Sequence, residues 1–207
     1  MSSCCRASSP TSVSELLERW LGEVLATPGA TGLTDRAAAR RVLLDDALRA
    51  VPLLEASPGP IVDVGSGGGS PGVPLAVALP ERKVMLLEAE RRKCDLLERV
   101  TAELPNVTVV WGRAEEQPKD AFGVALAKAL AKPPVAAELC LPLVAPGGAA
   151  ILWLAESADR GQVAAVAEQL GARLEEDAAG LVVLRKVHPT PEGFPRRPGV
   201  AKKRPLA

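Results

Sequence analysis

Apolar residues fall at helical spacing along the first quarter of the chain and in short turn-bounded runs along the rest. In "SVSELLERWLGEVLA", Leu16, Leu17, Trp20, Leu21 and Leu25 share one face, with Ser14 placed to cap the helix. In "LTDRAAARRVLLDDALRAVPLL", Thr34 is the candidate cap and Leu43, Leu44, Leu48 and Val51 form the apolar face. "SPGP" at 57–60 interrupts the pattern and marks a boundary. Beyond it, strands are expected at Ile61–Val64, Lys83–Leu87, Val107–Trp111, Val124–Ala127, Ala149–Leu154 and Leu181–Lys186, with helices near 71–79, 91–103, 134–143 and 159–170. Short apolar strands alternating with helices imply an α/β fold around a mostly parallel sheet covered on both faces.

"ARLEEDAAGLVVLRKV" departs from the alternation. Two strand-like pieces joined by a glycine-containing turn read as an antiparallel pair at the sheet edge, which brings the sheet to seven strands. The expected organisation is a disordered start at 1–10, a helical segment at 11–57, the α/β domain at 58–187 and a tail at 188–207. That tail, "HPTPEGFPRRPGVAKKRPLA", is rich in proline and cations and is expected to run extended rather than packed.

Composition narrows the classes. The chain has 207 residues, 47% of them hydrophobic, enough for one sizeable core, and with two Phe, three Trp and no Tyr that core must be aliphatic. Charge balances at 25 basic against 25 acidic residues, so any surface for a polyanion must be local. Cys4, Cys5, Cys94 and Cys140 match neither a metal spacing nor a disulfide framework, and the single histidine, His188, has no ligand cluster; no metal is expected. No signal-like or membrane-spanning run is legible, which points to the cytoplasm, and a monomer is expected.

The stretch "IVDVGSGGGSPGVPLA", 61–76, carries the chemistry. A strand running into a glycine turn and a helix puts backbone amides beside a parallel strand's C-terminal end, where nucleotides bind. Two registers compete. Gly67-x-Gly69-x-x-Gly72 fits a dinucleotide turn and would imply a NAD-dependent oxidoreductase. Asp63-x-Gly65-x-Gly67-x-Gly69 resembles instead the acidic glycine motif of S-adenosylmethionine-dependent methyltransferases. Pro71 removes an amide donor that a pyrophosphate would need, and an acid such as Asp63 suits a cationic ligand better than a phosphate. Glu88, 23 residues beyond Gly65 at the end of the next strand, stands where such folds hold ribose hydroxyls.

"DVGSGGGSPGVPLA", "LLEAERRKCDLL", "NVTVVWGRAEE" and the ending "FPRRPGVAKKRPL" together resemble the glucose-inhibited division protein B family. The resemblance implies a class I methyltransferase fold with an N-terminal helical segment, S-adenosylmethionine as cofactor, and methylation of guanine N7 in the 530 loop of 16S ribosomal RNA or of the 30S subunit. It places Asp63, Gly65, Gly67, Ser70, Glu88, Ala114, Glu115 and Lys128 at the cofactor, with Lys128 also the candidate catalytic residue. Arg92, Lys93, Arg196, Arg197, Lys202, Lys203 and Arg204 are the candidate RNA contacts, and the tail is expected to be dispensable for the cofactor. Three positions depart from the family pattern: Val42 stands for its histidine, Lys128 for its arginine, and Leu154-Ala155 for its Lys-Gly pair. Those departures keep open a second reading, a catalytically weak RNA-binding relative.

Overall fold

A computed structural model of the chain describes residues 12–175 and 180–207. The start expected to be disordered and most of the turn at 176–179 lie outside the described residues. The sheet is built on β1 (Ile61–Val64), whose four residues are all buried. It pairs in parallel with β2 (Val84–Glu88) and β4 (Phe122–Lys128). β3 (Val107–Trp111) flanks β2, and β5 (Val144–Trp153) flanks β4, both in parallel. The last two strands, β6 (Ala172–Glu175) and β7 (Val182–Lys186), pair antiparallel, and β7 inserts between β5 and β6. The order is therefore β3-β2-β1-β4-β5-β7-β6. A dinucleotide fold runs 3-2-1-4-5-6, without an inserted antiparallel strand.

Alternation along β1 sends Val62 and Val64 to one face and Ile61 and Asp63 to the other. The first face packs on α7 (Pro133–Cys140) and α8 (Arg160–Gln169). The second packs on α1 (Val13–Ala26), α5 (Gly72–Ala78) and α6 (Arg91–Val100). Between α1 and β1 lie α2 (Arg36–Ala39), a π-helical stretch Arg40–Asp45, α3 (Asp46–Leu48) and α4 (Val51–Glu55). Of the apolar face expected there, Leu44 is buried, while Leu43, Leu48 and Val51 are half-buried.

Several expectations are corrected. Ser12, not Ser14, caps α1: its hydroxyl accepts from Glu15 N at 3.2 Å while Ser12 N donates to the Glu15 carboxylate at 2.8 Å. This reciprocal S-x-x-E box satisfies two end donors at once. Asp35, not Thr34, caps α2 by accepting from Ala38 N at 2.7 Å. The fifth strand begins five residues early, at Val144, and absorbs "PGG" by a register shift against β4.

The largest correction is the tail, which is packed rather than extended. Arg196 meets Glu138 of α7 in a two-pronged ion pair, Nε to Oε1 and Nη2 to Oε2, both 2.5 Å. Glu138 is 4% exposed, so a carboxylate at that depth demands a cation, and the guanidinium fork supplies two parallel bonds. Gly199, at φ +80, then starts a short helix, α9 (Val200–Lys203), whose Ala201 is buried.

The N-terminal helix is tied to the glycine turn by Trp20, 1% exposed, whose indole N–H donates to Gly68 O at 2.9 Å. Replacing it with alanine removes core volume and that bond. Trp20→Ala should cost about 3–5 kcal/mol in urea unfolding, and Trp20→Phe, which loses the bond but keeps most of the bulk, roughly 1–2 kcal/mol.

Candidate functional site

The turn after β1 is held from below by acids and from the side by the helical segment. Asp63 faces α5, and its Oδ2 accepts from Gly72 N at 3.0 Å. A Cβ on Gly72 would stand 2.6 Å from that oxygen and 2.3 Å from Leu86 Cδ2, so only glycine passes here. A Cβ on Gly68 would meet Ala30 O at 2.9 Å and Val24 at 3.1 Å. Much of the glycine content therefore serves contact between the turn and the protein itself. Ser70 extends this contact: its hydroxyl donates to Leu43 O in the π-helical stretch at 2.7 Å.

The turn's amides are largely committed. Gly65 and Ser66 donate to Leu87 O, Gly69 to Ser66 O, Gly72 to Asp63, and Gly67 to Glu88 Oε2 at 2.8 Å. A pyrophosphate requires such donors free, and a carboxylate in their midst would repel it. The dinucleotide register is thereby disfavoured on geometry.

Above the turn opens a cleft of about 580 Å³, within the range of small-ligand sites. Its walls come from the turn itself, from Glu88–Ala89, from Gly112–Glu115, from Lys128–Leu130 and from the helical segment through Trp20 and Val42. Glu88 is 8% exposed and lines it. Its Oε2 accepts from Gly67 N and its Oε1 from Glu90 N, each at 2.8 Å. Carboxylate oxygens take two bonds each, so acceptor capacity remains on both for a pair of hydroxyls.

Lys128 ends β4 with its side chain 12% exposed, paired to Asp46 Oδ2 at 2.6 Å and donating to Val42 O. Its ammonium has three donors, so one remains for a ligand. The next residue, Ala129, lines the cleft at φ +54, a left-handed conformation that costs a residue with a Cβ on the order of 1 kcal/mol or more. The π-helical stretch supplies both carbonyls that hold the site, Val42 O to Lys128 and Leu43 O to Ser70. Such irregular turns release carbonyls from the regular helical ladder.

Gly65, Gly67, Ser70, Glu88, Ala114, Glu115 and Lys128 thus converge on one cleft. Asp63 does not: it is 1% exposed, absent from the cleft wall, and acts on the turn from beneath. Among the basic candidates, Lys93 lines the cleft and pairs with Glu90 at 2.9 Å, which raises its pKa above the usual lysine value. Arg92 is exposed on α6, as are Arg197, Lys203 and Arg204 in the tail, while Lys202 lies on the cleft wall. Arg196 is turned inward onto Glu138. Val42 lines the cleft, whereas Leu154 packs against the core on the α7–α8 face. Sequence reasoning passed over Asp46, Gly199 and Ala201; an acid that pairs across 82 positions leaves no local pattern. No cluster of metal-binding side chains occurs among the described residues, and no helix among them is long and apolar enough to cross a membrane.

The strand order and the acid-held glycine turn define a class I methyltransferase fold. Solved structures agree. An S-adenosylmethionine-dependent O-methyltransferase from Thermotoga maritima matches with a TM-score of 0.54 at 18% identity, covering 72% of this chain and 67% of that one. The CcbJ methyltransferase from Streptomyces caelestis matches at 0.53 and 15%, covering 69% and 95%. The sequence model for rRNA small subunit methyltransferase G matches residues 13–175. Ribosomal RNA small subunit methyltransferase G of Pelotomaculum thermopropionicum is 38% identical over 178 residues, 77% of this chain and 74% of the relative. The protein of that name from Carboxydothermus hydrogenoformans is 38% identical over 164 residues, 70% of each chain. The chain belongs to the rRNA small subunit methyltransferase G family.

Burial raises the pKa of Asp63 to about 7, with help from the nearby Glu88 charge and against the Gly72 amide, Ser66 and Lys128. In the unfolded chain an aspartate titrates near 3.9. Between about pH 4 and 7 the folded state therefore holds a proton that the unfolded state has lost, so stability falls as pH rises through that window and levels off above it. Urea unfolding should show wild type gaining stability relative to Asp63→Asn as pH drops from 7 to 4, by up to about 1.4 kcal/mol per pH unit. A constant difference across the window would contradict the shift.

Proposed function

We propose that the chain transfers a methyl group from S-adenosylmethionine to guanine N7 in the 530 loop of 16S ribosomal RNA, free or in the 30S subunit, in the cytoplasm. The observation that carries this reading is Glu88, a nearly buried carboxylate fixed by two amides yet open to the cleft, standing across the glycine turn from Lys128. The curated relatives named as ribosomal RNA methyltransferases support the substrate class.

In this arrangement Glu88 would hold the ribose hydroxyls, the backbone of Gly65 and Gly67 the amino-acid part, and Ala114 and Glu115 the adenine. Bound S-adenosylmethionine supplies an electrophilic methyl group on sulfur. Guanine N7 presents an exposed lone pair even in a paired base, so no general base is required. What the protein contributes is alignment of nucleophile, methyl and sulfur, chiefly through proximity and orientation. Lys128, immobilised by Asp46 and the Val42 carbonyl, turns its remaining donor to the base or its phosphate. A lysine at this position acts as a point charge and lacks the planar fork of arginine. Val42, at the family's histidine position, adds an apolar wall. Arg92, Lys93 and the exposed tail cations Arg197, Lys202, Lys203 and Arg204 meet the RNA backbone.

Two measurements test this. Calorimetry with S-adenosylhomocysteine should show Glu88→Ala binding on the order of tenfold to a hundredfold more weakly, as expected for lost bonds to a charged group. In single-turnover methylation of 30S subunits, Lys128→Ala should be slower by at least about tenfold, while its cofactor affinity falls less. Equal rates for wild type and Lys128→Ala would place the catalytic group elsewhere in the cleft.

A further inference from the structure

The C-terminal segment runs where a detachable RNA-binding tail would not. Gly199, Ala201 and Lys202 line the same cleft as Glu88 and Lys128. Gly199 N donates to Glu115 Oε1 at 3.0 Å, so the segment is bonded to the acid that borders one end of the cleft. Glu115 keeps its second oxygen, and both oxygens retain acceptor capacity. Upstream, the Arg196 fork grips Glu138, whose side chain is 3% exposed, and fixes the segment over α7. Still earlier, Thr190 accepts from buried Lys186 Nζ at 2.7 Å and donates to Asp120 Oδ1 at 2.7 Å. The chain is therefore anchored before it reaches the cleft, and it arrives there as a short helix with a buried alanine.

We infer that residues 196–203 form a wall of the cofactor site, so that cofactor and C-terminal segment hold one another in place. This rests on the reading of the cleft as the S-adenosylmethionine site. The physical basis is shared surface. A ligand seated against Ala114 and Glu115 touches the helix that Gly199 starts, and it gains that contact only while the segment is docked. By linkage, whatever factor the docked segment contributes to ligand affinity, the ligand returns to the docking of the segment. The same segment presents Lys202 on the cleft wall and Lys203 and Arg204 outward. Filling the cleft thereby also steadies the cations proposed to meet RNA.

The test uses the full chain, a chain ending at residue 194 and the Arg196→Gln variant, with S-adenosylhomocysteine as probe. Calorimetry should show the dissociation constant raised about tenfold or more in both altered proteins, in the usual range of coupling between sites. Because the shortened chain could fold poorly, the second measurement needs only wild type: limited trypsin digestion followed by mass spectrometry. Trypsin cuts after Lys202 and Lys203, whereas Arg197 and Arg204 precede proline. Saturating S-adenosylhomocysteine should slow cleavage after Lys202 by about fivefold or more. Tight binding to the full chain combined with unchanged cleavage overturns the inference, as does undiminished affinity in the chain ending at 194. A full chain that binds no S-adenosylhomocysteine overturns instead the reading of the cleft on which the inference depends.

Discussion

A turn without side chains cannot hold its own shape, and in this protein two carboxyl groups and an indole hold it. Asp63 takes the amide of Gly72, Glu88 takes the amide of Gly67, and Trp20 gives its N–H to Gly68 O. Each bond joins the turn to a different element: β1, the end of β2, and the N-terminal helix. The glycines are needed because those elements come so close, as the sub-3 Å approaches at Gly68 and Gly72 show. The cleft is what remains above the turn once these contacts are made, so its shape follows from the packing of the whole second face of the sheet. Burial of Asp63 beneath the turn is tolerated because the carboxyl can remain protonated at moderate pH.

The N-terminal helical segment takes part in the site directly. Its π-helical stretch delivers the carbonyls of Val42 and Leu43 to Lys128 and Ser70, and Asp46 fixes the ammonium. Lys128 is thus pinned by a helix rather than left to sample solvent, a rigid placement suited to alignment chemistry. The strained backbone at Ala129, next along the chain, belongs to the same cluster. The Arg196–Glu138 pair fastens the C-terminal segment, whose Gly199, Ala201 and Lys202 line the cleft. The N-terminal helical segment and residues 199–202 thus meet at a site whose floor is the turn after β1.

Much of this was legible in the residues. Short, mostly apolar strands such as Ile61–Val64 and Val107–Trp111 were bounded correctly because turn residues flank them. The antiparallel pair at the sheet edge followed from a glycine-containing turn between two strand-like pieces. Glu88 was legible from its place at a strand end, whereas Ala114 and Lys128 came from the family resemblance; with Glu115 they all line the cleft. The misses share a cause: they depend on partners distant in sequence. Proline and charge made the tail read as extended, since nothing local shows that Glu138 would be buried and in need of Arg196. Asp63 was assigned to a ligand because its register relative to α5, which turns it toward Gly72, emerges only from packing. Asp46 carries no signal except its distance from Lys128 in space.

If, as proposed, this cleft brings S-adenosylmethionine to a guanine of small-subunit ribosomal RNA, the purified protein should methylate that base. The most direct measurement is to incubate the purified full chain with S-adenosylmethionine carrying a labelled methyl group and unmethylated 30S subunits, then digest the RNA and identify the labelled nucleoside by mass spectrometry. The expected result is a single labelled product, 7-methylguanosine, released from a fragment of the 530 loop. Label in a different nucleoside or a different region, or cofactor binding with no label in the RNA, would contradict it.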